Sequence, residues 1–345
     1  MSSLRVALVG CGKIGQKHLQ ALVHRRMLEL VATVDVDLEK ASAAAVAFDA
    51  APYDSLEAAL RDFPDVDAVI VATPSGTHRM LAEAALNSNK HVLVEKPMVL
   101  NAADARALVE IAEERHRVLA VNQFNRLLPS VALALEAFRQ GRLGRFLQGS
   151  VSVRLSHLQA YYDAAPWRGT RSMDGGILFN QAIHAMDILL QFSGPIAEAF
   201  AFSATLTHQI ETEDTLVGVL RAESGALLSV EATTSVADSN LEERVVVIGD
   251  QGSLVLGPTL QQVASWRVAG DDEDQVREEI NQAPARAGWH SHADALEDFA
   301  RAVGERETPK LSGRSALHAI EVIEALLLSC EQKSPVAVSQ PKEYL

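Results

Sequence analysis

The sequence predicts two domains: an α/β domain on a doubly wound parallel sheet, then an α+β domain on an open, mostly antiparallel sheet. Three observations lead there. Up to about residue 122, short apolar runs alternate with helical stretches, which is the order of repeated strand–helix–strand units. Beyond Gly144, strand-like runs follow one another across turn residues, the order of strands paired antiparallel. A length of 345 residues also suits about two domains and can bury a large core without staples. The predicted division is 1–122 and 123–345, with the late helices able to pack back on the first domain.

In the first domain the strands are read at Leu4–Val9, Leu30–Asp35, Ala68–Ala72, His91–Val94 and Val118–Val121. They are nearly all apolar, as strands covered on both faces are. Helical stretches lie between them at Lys17–His24, Asp37–Phe48, His78–Leu86 and Ala102–His116. In the second domain, strand-like runs fall near 145–155, 197–207, 215–221, 226–234, 243–249 and 252–256. Glu223-Ser224-Gly225 and Gly249-Asp250-Gln251-Gly252 supply turns. One helix is expected over Gly176–Phe192 and two more at about 291–303 and 313–330. The acidic segment Gly270–Glu279 reads as a solvated loop.

Lys and Arg number 31 against 45 Asp and Glu, a formal net charge of −14. That balance argues against a nucleic-acid partner, because binding phosphates calls for a cationic face. Two cysteines, Cys11 and Cys330, are too few for a disulfide framework or a metal cluster. No apolar run approaches the roughly 18 residues of a membrane span. The apolar run Val6–Val9 stops at Gly10, unlike a signal peptide. A cytoplasmic protein is expected. His290 and His292 adjoin a late helix, but no third ligand is apparent nearby, and no metal is expected.

The first chemical signal is Gly10-Cys11-Gly12-Lys13-Ile14-Gly15, which matches G-x-G-x-x-G. Three glycines by themselves can mark a tight turn and nothing more. Here they follow a predicted strand, open a predicted helix, and precede Asp35 by 35 − 15 = 20 positions. Gly10 and Gly12 allow a tight turn and close backbone approach to a pyrophosphate, and Gly15 lets the helix pack on the strand. The helix N-terminus carries partial positive charge for the phosphates, beside Lys13 and Ile14. Asp35 is placed to accept from ribose hydroxyls and would repel a 2′-phosphate. Neither Arg nor Ser follows in Val36-Asp37-Leu38, so NAD is expected over NADP.

Two further segments end predicted strands: Ala72-Thr73-Pro74-Ser75-Gly76-Thr77-His78 and Glu95-Lys96-Pro97. Ligands of open α/β sheets bind at such carboxyl ends. With Gly10–Gly15, these motifs closely resemble the glucose–fructose oxidoreductase and inositol dehydrogenase family (Gfo/Idh/MocA). The resemblance continues through Trp167-Arg168, Asp174-Gly175-Gly176 and Asn180-Gln181-Ala182-Ile183-His184-Ala185-Met186-Asp187. It ends in the Gly313–Ser329 region and so covers nearly the whole chain. It implies a Rossmann domain followed by a domain with an open sheet. It also implies NAD(P)-dependent oxidation or reduction of a sugar, polyol or similar hydroxyl compound.

By that resemblance Lys96 and His184 sit at the reacting hydroxyl. Histidine titrates near pH 6.5, which suits proton transfer at neutral pH; lysine begins near 10.4 and acts as a base only if desolvated or placed near a cation. At 100° per residue, Asn180, His184 and Asp187 fall within about 60° of one another on a helix. This stripe reads either as an active-site face or as a structural hydrogen-bond network. Many family members carry Asp where this chain has Asn180. An amide takes no proton but can still orient a sugar hydroxyl. The Asn-Gln…His variant resembles members that oxidise C3 of nucleotide-linked N-acetyl-glucosaminuronic acids.

Thr73, Pro74, Ser75, His78 and Glu95 are expected along the cofactor, with Trp167 and Arg168 as a loop over it. His78 reads equally as a helix-start residue and Trp167 as an interface anchor. Gln123 and Arg126 follow the fifth strand, where an Arg suits a substrate carboxylate or phosphate, or else forms a salt bridge. Rival functions are a non-catalytic NAD-sensing regulator, which should have lost Lys96 or His184, and an NADPH-preferring ketone or imine reductase, which Asp35 disfavours. Apolar residues in Leu216–Leu220 and Leu227–Glu231 predict burial of one sheet face in a homo-dimer or homo-tetramer.

Overall fold

The computed structural model describes residues 3–24, 27–282 and 288–338. The chain folds as β1 (Leu4–Val9), α1 (Lys13–Leu22), β2 (Leu28–Val34), α2 (Leu38–Ala45), β3 (Ala51–Tyr53), α3 (Leu56–Asp62), β4 (Ala68–Val71), α4 (His78–Asn87), β5 (His91–Val94), α5 (Ala102–Glu114) and β6 (Leu119–Val121). It continues with α6 (Pro129–Arg139), β7 (Phe146–Arg154), α7 (Gln159–Asp163), α8 (Ile183–Ser193), β8 (Ile196–Ala204), β9 (Thr215–Ala222), β10 (Leu227–Thr233), β11 (Glu242–Gly249), β12 (Ser253–Leu256) and β13 (Val263–Arg267). Last come α9 (Glu273–Asn281), α10 (His290–Glu305), α11 (Gly313–Gln332) and β14 (Val336–Ala337). Two compact units result. One runs to Phe124 and takes in the later segment ending at Leu317; the other runs from Asn125 and takes in the chain from His318.

The first unit is a six-stranded sheet in the order β3-β2-β1-β4-β5-β6, with every pairing parallel. Its central strands are buried on both faces, from Val6 to Val9 and Ala68 to Val71, as their unbroken apolar runs require. Helix α10 packs on α1, and Leu296 and Phe299 enter the same core as Leu8, Leu19, Ile70 and Leu93. Strand order reverses between β1 and β4. Beyond the carboxyl ends lie Gly10, Asp35, Thr73, Glu95–Lys96 and Asn122–Gln123, so the topology alone gathers the predicted cofactor residues at one edge.

The second unit is an eight-stranded sheet, β13-β12-β11-β7-β10-β9-β8-β14, antiparallel except where β7 runs parallel to β10. Its strands alternate: Val151, Val153, Val230, Val245 and Val247 turn inward and are fully or almost fully buried. Helix α8 packs on β7 and β11. Gly149 makes that approach possible, since a Cβ there would stand 2.5 Å from the Leu189 side chain.

Two expectations fail here. The acidic segment read as a loop at Gly270–Glu279 forms α9 from Glu273 onward. Asp272 caps it by accepting from the Gln275 N–H, and Glu273 accepts from the Trp266 N–H and the Ser265 hydroxyl, which tether it to β13. Nor is Gly176–Phe192 one regular helix. Leu178–Ala182 winds as a π-helical turn before α8 begins, so the 100° spacing does not carry from Asn180 to His184.

Candidate active site

In the first unit, the glycine turn after β1 meets the physical demands of its motif. Gly10 has φ +95°, and a Cβ on it would lie 2.5 Å from the Ala72 carbonyl oxygen. A Cβ on Gly15 would lie 2.0 Å from the Gly10 carbonyl oxygen, so that glycine seats α1 on β1. Gly12 differs: nothing lies within 4 Å of its Cβ position, and no side chain caps the N-terminus of α1. Open space above helix amides is what a pyrophosphate needs. Lys13 is exposed and Ile14 half-buried in the first turn. Asp35 accepts from the Cys11 N–H (2.9 Å) and from the Asp37 N–H (3.0 Å), which pins its carboxylate beside the turn. Burial, then the Asp35 charge, pushes the Cys11 thiol up to about 11; it is a packed thiol and not a nucleophile.

Thr73, Pro74 and Ser75 follow β4 half-buried, and the Thr73 and Thr77 hydroxyls hydrogen-bond at 2.7 Å. His78 opens α4 and is buried. Its Nδ1 lies 2.8 Å from the Pro97 carbonyl and its Nε2 2.9 Å from the Thr73 carbonyl, so the ring ties the loop after β4 to the loop after β5. Burial pushes its pKa down against both carbonyl bonds. The ring therefore lies between the two loops with each nitrogen beside a backbone carbonyl.

Glu95 follows β5 directly. Its carboxylate is buried and accepts from His18 Nε2 (2.8 Å) and the Asn122 side-chain amide (2.6 Å), with His292 Nε2 at 3.5 Å. Burial would raise its pKa, but the bonds to His18 and His292 hold it well below the usual carboxylate range. Glu95 thus anchors the strand end next to Lys96 through protein partners. The sequence reading missed its partners, which come from α1, α10 and the end of β6. Lys96 is partly exposed and joined to Pro97 by a cis peptide. Gln123 is buried, and neither polar atom of its amide meets a protein partner among the described residues.

In the second unit, Arg126 forms the salt bridge that was the alternative to a substrate contact. It is buried and paired through two nitrogens with Asp187, itself buried on α8. Asp187 therefore leaves the predicted polar stripe and serves packing. His184 stays partly exposed in the first turn of α8. Arg168 lies 4.2 Å from the Tyr161 ring and 5.5 Å from the Trp167 ring, and donates to the Tyr161 carbonyl at 2.6 Å.

Asn180, on the π-helical turn, donates through its side-chain amide to Asp174 and accepts from Gln181 Nε2 (3.1 Å). Tyr161 is in side-chain hydrogen-bond contact with both Asn180 and Gln181. These residues line a small cleft with His157, Tyr162 and Glu213. Burial raises the Glu213 carboxyl, which bonds the backbone at Ile177 and Leu178, where the π-turn begins. Gly176, at φ +83°, makes room for it, since a Cβ there would lie 2.3 Å from that carboxylate. Asp174, Tyr161 and Glu213 were not singled out from the sequence, although the Asp-Gly-Gly run ahead of the helix was a signal for the first.

Comparison with known proteins gives this arrangement a family. Residues 4–123 match the oxidoreductase family with an NAD-binding Rossmann fold, and residues 131–255 match the GFO/IDH/MocA C-terminal domain. The structure superposes on the WlbA dehydrogenase from Bordetella pertussis, solved with NADH and UDP-GlcNAcA, with a TM-score of 0.92, 31% identity, and coverage of 98% of this chain and 99% of that one. The chain belongs to the Gfo/Idh/MocA family. Among curated family relatives, D-apiose dehydrogenase of Paraburkholderia graminis is 27% identical over 94% of this chain and 87% of its own. Inositol 2-dehydrogenase of Rhizobium meliloti is 25% identical over 98% and 100%. As a Gfo/Idh/MocA member the protein is a dehydrogenase acting on CH–OH groups with NAD as cofactor, and the Gly10–Gly15 turn with Asp35 fits that cofactor. Among the described residues, no helix is long and apolar enough to cross a membrane.

Proposed function

We propose that the protein oxidises a secondary hydroxyl of a nucleotide-linked sugar, with a UDP-N-acetyl-glucosaminuronate as the leading substrate and C3 as the reacting carbon. One observation carries this reading: Asn180, in its Asn-Gln…His setting, is hydrogen-bonded to Asp174 and Gln181 at a cleft lined by hydroxyls, amides and carboxylates together with His157 and Ile177. Such a lining suits the many hydroxyls of a sugar. The likeness to Bordetella pertussis WlbA, solved with that uronate, supports it.

Bound NAD supplies the hydride acceptor for the carbon. What the chain must add is proton transfer and orientation. Lys96 and His184 share the proton of the reacting hydroxyl, and a charged Lys96 polarises its oxygen. Asn180 orients a hydroxyl without taking a proton. Gln123 offers the substrate an amide that no group among the described residues engages. Thr73, Pro74, Ser75, Trp167 and Arg168 complete the cofactor's surroundings.

The dehydrogenase works as a homo-oligomer in this reading. On the second sheet Phe202, Val217, Val219 and Leu227 are each more than half exposed, and Phe202 pairs across strands with Val217. A face of that kind favours a second copy. Sedimentation at micromolar concentration tests it; a 37.2 kDa species alone would refute it.

The substrate test is NADH formation with NAD across inositols, free sugars and nucleotide-linked uronic acids. The reading expects turnover of nucleotide-linked uronates well above the others. A signal confined to inositols or free sugars would replace the substrate, and none at all with NAD bound would favour a sensing role.

A further inference from the structure

Asp174 is buried, with 3% of its surface exposed, yet it stands at the wall of the cleft. Both of its carboxylate oxygens are engaged. Oδ2 accepts from the Gly169 N–H at 3.0 Å, within the loop that carries Trp167 and Arg168, and Oδ1 accepts from the Asn180 side-chain amide. A carboxylate only accepts hydrogen bonds. The nitrogen of Asn180 must therefore face Asp174, which leaves its carbonyl oxygen on the opposite side, where Gln181 Nε2 already donates to it. The carboxylate is thus what decides between the two flipped states of the amide.

We propose that Asp174 is a positioning residue that locks the flip of Asn180, so that Asn180 offers the substrate an acceptor and selects a hydrogen-bond donor, a hydroxyl or an N–H, at that point. This rests on the reading of Asn180 as a substrate contact. In this arrangement a carboxylate stands one side chain away from the substrate, and Asn180 relays its orientation. The relay works with the partners exchanged. An amide introduced at position 174 would donate to a carboxylate introduced at position 180, and that carboxylate would again face the substrate with an acceptor oxygen.

The exchange is the test. Asp174→Asn, Asn180→Asp and the double variant D174N/N180D are compared with wild type in two measurements. The thermal midpoint of the free protein reads the pair without any substrate. The kcat and KM for the hydroxyl substrate that wild type turns over best read its positioning. Each single variant is expected to lower the midpoint and to cut kcat/KM by about tenfold, the weight of a lost pairing of ~1.4 kcal/mol. The double variant is expected to recover most of both. Overturning results are midpoints that add independently, or coupling in the midpoint while the single variants keep wild-type kcat/KM. Wild type turning over no hydroxyl compound would defeat the functional reading, while the midpoint cycle would still decide whether the lock exists.

Discussion

Gly12 and Gly15 belong to one motif, but their surroundings ask different things of them. A Cβ at Gly15 meets the Gly10 carbonyl, whereas a Cβ at Gly12 meets nothing of the protein. Gly15→Ala is therefore expected to lower stability by about 1–3 kcal/mol through forced overpacking. Gly12→Ala is expected to leave stability unchanged and weaken NAD binding by about tenfold or more, since a methyl enters the phosphate's space. Denaturant midpoints and NAD titration separate the two; an equal effect of both on stability would show that the turn is not open at Gly12. This distinction was half legible beforehand. Spacing marks all three glycines and Asp35, because a backbone requirement is written in which residues lack side chains. Gly10 also closes against Ala72, 62 positions later (72 − 10), and no local pattern records that contact.

At the scale of elements, the burial of Arg126 and Asp187 changes what the loop after β6 does. Asp187 comes from α8, so the pair fastens that loop to the helix bearing His184. Arg126→Ala would leave a buried carboxylate unpaired, a change that typically costs about 3–5 kcal/mol. A loss of that size in the denaturant midpoint is expected, ahead of any change in KM. A variant as stable as wild type with KM alone raised would return Arg126 to the substrate. The same comparison shows where sequence patterns stop. The strands of the first sheet other than β3, the run of β9 to β12 and the helix bearing His184 were legible, because periodicity of two or a solid apolar run follows from covering one or both faces of a sheet. The π-turn at Leu178–Ala182 was not, since nothing in its run of residues marks it apart from an ordinary helical stretch. Helix α9 was missed for the opposite reason. It has no buried residue, so no apolar face marks it, and it stands on the Asp272 cap and the Glu273 tether.

On the scale of the whole molecule, two folded units supply different chemistry. The first holds the glycine turn, Asp35 and Lys96; the second holds His184, the Asp174–Asn180 pair and an apolar outer sheet face. If that face joins subunits, Val217→Asp with Val219→Asp shifts sedimentation from the oligomer to the 37.2 kDa chain; an unchanged profile would place the interface elsewhere. The division of labour leads to the most direct test of the account, NADH formation from a nucleotide-linked uronate by wild type and by Lys96→Ala, with NAD affinity measured on both. The account predicts turnover by wild type, a loss of about 100-fold or more in the variant, and NAD affinity that is nearly unchanged. Equal turnover by the two proteins would contradict the role given to Lys96 and with it the proposed catalytic site.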